Sequence, residues 1–186
     1  MTTSPVGSPV DSPGGAPTAS RPHRLDGVEA GVFREALGRH ASGVVAVTAA
    51  VDGSPVGFTA TSFTSVSLAP PLVAFYIADT STTWPALSRA RIFGVHLLAE
   101  GQAGLAARFA ARGADRFAPP TAWRPSEEGV PLIDDATAHL ICDRHETRPI
   151  GDHWLVVGRV RRALLNRGES PLLYHGAAFG GFVRHP

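Results

Sequence analysis

Residues 44–60 read Val-Val-Ala-Val-Thr-Ala-Ala-Val, then Asp52-Gly53, then Ser-Pro-Val-Gly-Phe-Thr-Ala. A β-branched apolar run, a dipeptide favoured in two-residue hairpins and a second strand-like run predict two antiparallel strands. This hairpin restricts the chain to folds whose sheet is built from neighbouring antiparallel strands.

The second run continues past residue 60. Thr59, Thr61, Ser62, Thr64, Ser65 and Ser67 interleave with apolar residues until Pro70-Pro71. Hydroxyls on both sides of an extended backbone suit a wall facing a polar, planar or phosphorylated ligand. They suit equally a strand with one wet face, since Thr favours strands. Residues 72–78 form a continuous apolar run expected where both faces are covered, in a barrel wall or a subunit contact.

The hydroxyl cluster at residues 79–83 precedes Trp84-Pro85 and a short helix through about residue 90. Two readings stand: an ordinary helix N-cap, or an anion site built from hydroxyls and free N–H groups. Residues 91–99 read as a strand. Residues 105–111 read as a helix carrying Arg108 and Phe109 and closed by Gly113; its arginines would either grip a phosphate or remain solvated. A Pro-rich loop spans 118–131. Strand-like segments at 136–147 and 153–165 follow, joined by residues 148–152, and the end is Gly-rich. Many strands, three modest helices and no βαβ alternation predict a mostly β, largely antiparallel barrel.

Ahead of this lies a Ser-, Pro- and Gly-rich leader, residues 1–25, with too little apolar surface to offset the entropy of ordering it. Residues 26–186 are expected to form one domain. An apolar stripe at helical spacing, Val28, Val32, Phe33, Ala36 and Leu37, predicts a helix over 28–41 that ends at Ser42-Gly43.

Several function classes are excluded on composition. The net charge is +1, and no Lys/Arg run is long enough to track a nucleic acid backbone. Cys142 is the sole cysteine, which precludes an internal disulfide or a Cys-based zinc cluster and fits a reducing cytoplasm. No apolar run would span a bilayer, and no basic-then-apolar signal opens the chain, so no membrane partner and a cytoplasmic location are expected. Rossmann, P-loop and nucleophile-elbow motifs are absent. His139 and His145 fall on one putative strand about 20 Å apart, too far to share a metal. No protein-bound metal is expected.

Four segments occur in order: residues 57–68 with Pro70-Pro71-Leu72; Ser81-Thr82-Thr83-Trp84; residues 108–117, from Arg108-Phe109 to Arg116-Phe117; and Gly151-Asp152-His153 with the strand after it. Together they resemble the flavin reductase family of short FMN-binding split barrels, many of which serve two-component flavin monooxygenases. The resemblance covers about residues 30–183. It implies an antiparallel split β-barrel and hydride transfer from C4 of NADH or NADPH to N5 of FMN or FAD, for release to a partner monooxygenase. By the same resemblance Pro55, Val56, Gly57, Phe58, Thr59, Thr61 and Ser62 hold the flavin ring edge and ribityl chain. Thr82 and Thr83 hold phosphate, and Arg108 and Phe109 close the site. His153 is delivered to the nicotinamide face by the Gly-Asp turn, and Tyr174, His175 and Gly176 lie on the nicotinamide side. A homodimer is implied as well. The chain departs from the family at His96, where Asn is common, and at residues 177–180, which lack the Arg and Tyr often seen there. Two alternatives stay open: a tightly held flavin acting on an organic substrate, and a non-catalytic flavin-binding or redox-sensing domain.

Overall fold

The computed structural model describes residues 27–166 and 170–185, so the expected leader lies outside the described residues. Helix α1 (Ala30–Gly38) is capped by the Glu29 carboxylate, which accepts hydrogen bonds from the N–H groups of Gly31 and Val32 at 3.0 and 3.1 Å. It is shorter than the expected 28–41. Its apolar stripe is not packed away: Val28, Val32, Phe33 and Leu37 are each more than half exposed.

Strand β1 (Ser42–Gly43) leads into β2 (Val45–Val51), which pairs antiparallel with β3 (Ser54–Ala60). At the intervening Asp52-Gly53 both residues have positive φ, 51° and 77°, the primed geometry that matches strand twist. The hydroxyl-rich run does not continue as one strand. It bends at residues 61–63 and resumes as β4 (Thr64–Leu68), which pairs with β5 (Pro71–Ala78). The Ser62 hydroxyl accepts from Tyr76 N–H at 3.0 Å and donates to Tyr76 C=O at 3.2 Å, occupying both backbone groups of a β5 residue.

This bend sets the shape of the sheet. After α2 (Trp84–Leu87) come β6 (Ile92–Leu97), a single 3-10 turn, α3 (Ala103–Ala110), the small hairpin β7 (Trp123–Pro125) and β8 (Pro131–Ile133), and the long hairpin β9 (Ala138–Ile150) and β10 (His153–Leu165). The β7–β8 hairpin falls in the stretch expected to be a Pro-rich loop. A last hairpin, β11 (Leu173–His175) with β12 (Ala178–Gly180), adds to β1. The main sheet has the order β3-β2-β6-β9-β10-β5-β4. Consecutive strands β3 and β4 thus stand at its opposite edges. From Ala60 to Thr64 an extended chain spans at most about 14 Å, so the sheet must roll until its edges approach. The described strand pairing leaves it mostly antiparallel and open, because no ladder joins β3 to β4.

Inside the roll, Phe58 on β3 meets Phe75 on β5 with ring centroids 5.8 Å apart, and Phe75 meets Phe93 edge-on at 5.5 Å. Each fully buried Phe contributes roughly 1.5–3 kcal/mol. Both faces of β2 are covered: Val45, Val47 and Ala49 join this interior, while Ala46 joins a second cluster with Ala106, Phe109 and Ile133 beneath α3. Val73, Ala74, Phe75 and Ile77 of β5 are buried within the chain, as a wall strand requires, while Tyr76 stays 41% exposed.

A buried polar chain crosses three strands. Thr48, His96 and His139 are at most 1% exposed, and His96 faces His139 directly in the β6–β9 register. The Thr48 hydroxyl donates its one proton to Pro131 C=O at 2.6 Å, so at 2.7 Å it accepts from His96 Nε2–H. His96 Nδ1 then accepts from His139 Nδ1–H at 2.9 Å, and His139 Nε2 accepts from Asn166 at 3.2 Å. One carbonyl at the end of the chain therefore assigns both tautomers. Burial, then the neighbouring His139, drives His96 down to about 3; burial, then Arg124, lowers His139.

These depressed values have a pH signature. Unfolded histidines take up protons below about pH 6.5 while the folded pair refuses them, so folding stability should decline as pH falls from about 6.5 toward 3. The slope approaches about 1.4 kcal/mol per pH unit for each histidine held neutral. Urea unfolding at a series of pH values measures it. His96→Leu, which orphans the His139 proton, should cost about 1–3 kcal/mol at neutral pH.

Candidate active site

Two clefts open along β3, one at each end. The first, about 200 Å³, is lined by Pro55, Val56, Gly57, Thr82, Thr83 and Arg116 among others. Its floor depends on Gly57: a Cβ there would lie 2.8 Å from Val47 O and 3.0 Å from Phe109 Cε1. Its far wall depends on α2. Trp84 stacks on Trp154 of β10 at 5.2 Å, and the Arg144 guanidinium donates to the Leu87 and Ser88 carbonyls at the C-terminal end of α2.

The hydroxyl loop is therefore held rigidly, but not as an ordinary N-cap. Thr83 occupies the N-cap position of α2 without a side-chain capping bond. Its hydroxyl instead donates, at 3.5 Å, to Gly57 C=O and accepts from Arg116 Nη1 at 3.2 Å. Arg116 Nε and Nη2 donate to the Phe109 and Ala111 carbonyls at 2.9 and 2.8 Å. Burial lowers the Arg116 pKa, and these three bonds fix its guanidinium at the cleft. A four-residue helix has little macrodipole, so the positive charge here comes from Arg116.

The second cleft, about 600 Å³, gathers Thr61 and Ser62 from the bend with Tyr174, His175 and Gly176 from the last hairpin. Phe63 and Tyr76 add aromatic walls, and α1 forms the rim. The Gly176 N–H donates to Gly38 C=O at 2.9 Å, tying the hairpin turn to the helix end. From Val56 to Thr61 the strand rises about 17 Å, so β3 links the two clefts.

The remaining expected site residues line neither cleft. Phe58 packs in the interior against Phe75. The Thr59 hydroxyl donates to Ala106 C=O of α3 at 2.7 Å. Phe109 is fully buried beneath Gly57 and Phe117, and reaches the cleft only through the carbonyl that holds Arg116. Arg108 points to the carbonyls of Asp115, Ala118 and Pro119 at 3.4–3.5 Å. The cation at Thr83 is thus Arg116, eight residues beyond Arg108. His153 opens β10 with its side chain 44% exposed and Nδ1 2.6 Å from Asp152 Oδ1. The Asp79 N–H donates to Asp152 C=O at 3.1 Å, joining this turn to the start of the hydroxyl loop. Among the described residues no group of three His, Cys, Asp or Glu gathers as a metal set.

The domain described as flavin reductase like matches residues 37–182. The chain belongs to that family. It is 43% identical over 161 residues to the NADH:FMN oxidoreductase of Rhodococcus erythropolis, covering 84% of each chain. Nitrilotriacetate monooxygenase component B from Mycobacterium thermoresistibile superposes with a TM-score of 0.79 at 38% identity, covering 83% of this chain and 89% of that one. The Streptomyces globisporus NADH:FAD oxidoreductase SgcE6, solved with NAD and FAD fragments, gives 0.77 at 36% identity, covering 81% and 91%.

Gly57 is the most constrained residue of the first cleft. Gly57→Ala should force β3 away from β2 and Phe109, costing about 1–3 kcal/mol, read as a lower midpoint in urea unfolding.

Proposed function

We propose that this chain is an NAD(P)H-dependent flavin reductase, taking hydride from NADH or NADPH onto FMN or FAD and supplying reduced flavin to a partner monooxygenase. The observation that carries this reading is Arg116, fixed on Thr83 at one end of β3, with an aromatic-walled cleft at the other. A charged group with hydroxyls at one end and flat apolar faces at the other fits a molecule that is phosphate at one end and planar ring at the other. The names of the relatives above support the same chemistry.

The donor set fits a flavin phosphate at Thr82, Thr83 and Arg116, with the ribityl chain along Pro55, Val56 and Gly57 and the ring toward Thr61 and Ser62. Thr59, Phe58 and Phe109 support this surface from behind. Bound flavin would supply the hydride acceptor; the chain's own work is to align two rings and exclude water. Hydride transfer requires no protein base, so the roles proposed on the nicotinamide side are docking ones: Tyr174, His175 and Gly176 from the second cleft, and His153, with Asp152 on its Nδ1 side, from the turn outside it.

Two points of architecture complete the proposal. The rolled sheet, whose edge strands connect through three residues, is the wall of a split barrel. The exposed stripe of α1, with Val66 and Leu68 on edge strand β4, supports a homodimer, because such apolar surface is ordinarily covered.

Oxidation of NADH by the purified protein should accelerate and saturate as FMN or FAD is added. A protein that stays yellow through gel filtration and oxidises no NAD(P)H would sink the proposal. Arg116→Gln should weaken FMN binding about tenfold, toward the affinity for phosphate-free riboflavin, by fluorescence titration. His153→Ala should raise KM for NADH several-fold with the flavin Kd within about twofold; unchanged kinetics would remove His153 from the site.

A further inference from the structure

The rim of the second cleft is built by α1, and the flavin reading gives the arginine of that rim no task. Arg34 and Leu37 stand one turn apart on α1, and His40 follows its end; all three line the cleft. The backbone bond from Gly176 to Gly38 holds His175 on the opposite lip. Arg34, His40 and His175 therefore surround the opening, and the lining contains no Asp or Glu. Phe63, Tyr76 and Tyr174 supply aromatic faces in the same cleft.

Arg34 is the permanent charge of this set. Among the described residues its guanidinium makes no hydrogen bond or ion pair. Its field is felt at Glu29, whose carboxyl is lowered first by the Gly31 and Val32 N–H groups and only lastly by Arg34. Some surface arginines have carboxylate partners, as Arg39 has Glu35 and Arg89 has Asp52, so what sets Arg34 apart is its place on the cleft lining. An arginine with no ion pair among the described residues, at the mouth of an aromatic cleft whose lining holds no carboxylate, is placed for an anionic ligand with planar rings. Its planar fork matches phosphate in two-point contact.

We propose that Arg34 binds a phosphate of the reduced pyridine dinucleotide, making α1 part of the hydride donor's site. This rests on the reductase reading above, with the flavin phosphate at Arg116 and the donor at the other end of β3. The group engaged is either the pyrophosphate shared by NADH and NADPH or the ribose phosphate that only NADPH carries.

The test compares wild type with Arg34→Ala and Arg34→Lys, using NADH, NADPH and phosphate-free N-benzyl dihydronicotinamide as donors to FMN. For Arg34→Ala, kcat/KM should fall about tenfold or more relative to the phosphate-free donor, with partial recovery in Arg34→Lys. A loss for both nucleotides assigns the pyrophosphate, and a loss for NADPH alone assigns its ribose phosphate. No change with either nucleotide, an equal loss with the phosphate-free donor, or a matching loss of FMN affinity each overturns the inference. Equilibrium binding of NADH and NADPH reads Arg34 without turnover. A wild-type protein that binds either nucleotide through Arg34 but reduces no flavin would retain the inference and fail the reductase reading. One that binds neither would sink both.

Discussion

The Ser62 hydroxyl, bonded to both backbone groups of Tyr76, is the contact on which the layout of the molecule depends. It turns the chain out of β3 and into β4 within three residues, from one edge of a seven-stranded sheet to the other. An open flat sheet would hold those edges several strand spacings of about 4.8 Å apart, farther than the link can reach. Rolling is thus compulsory. It brings Phe58, Phe75 and Phe93 into one interior, and leaves the hydroxyls of the bend at the mouth of a cleft.

Rigidity at the first cleft comes from elements remote in the chain. The Trp84–Trp154 stack and the Arg144 contacts anchor α2 from β10 and β9, while the carbonyls of 109 and 111 hold Arg116 from α3. On the far side of β2 and β6, the Thr48–His96–His139–Asn166 chain fills its polar capacity along one proton direction. Such a network stabilises when complete and is costly when broken. His96, one of the two departures from the resemblance, is part of this network, away from both clefts.

Much of the architecture was legible in the residues. The Asp52-Gly53 turn, the run that became β5, the helix at Ala103–Ala110 and the turn at Gly151-Asp152 all follow from local periodicity and turn chemistry. Four spaced motifs pointed to the family, which the matched domain shows. The site was less legible. Thr82 and Thr83 share a cleft with Pro55, Val56 and Gly57, but Arg108, Phe58, Thr59 and Phe109 turn to carbonyls or core. Arg116 was in plain view inside one of the four motifs, yet spacing gives no means of choosing it over the nearby arginines.

What the sequence by itself determined is therefore most of the long strands and helices, their tight turns and the family, because these rest on contacts within a few residues and on motif order. Only the tertiary structure decided where the hydroxyl strand breaks, that His96 pairs with His139, that Arg116 meets Thr83 while Phe109 goes under the floor, and that the apolar stripe of α1 is left exposed. Each of these depends on cross-strand register and on which side chains from distant segments compete for one space, information that no local spacing contains.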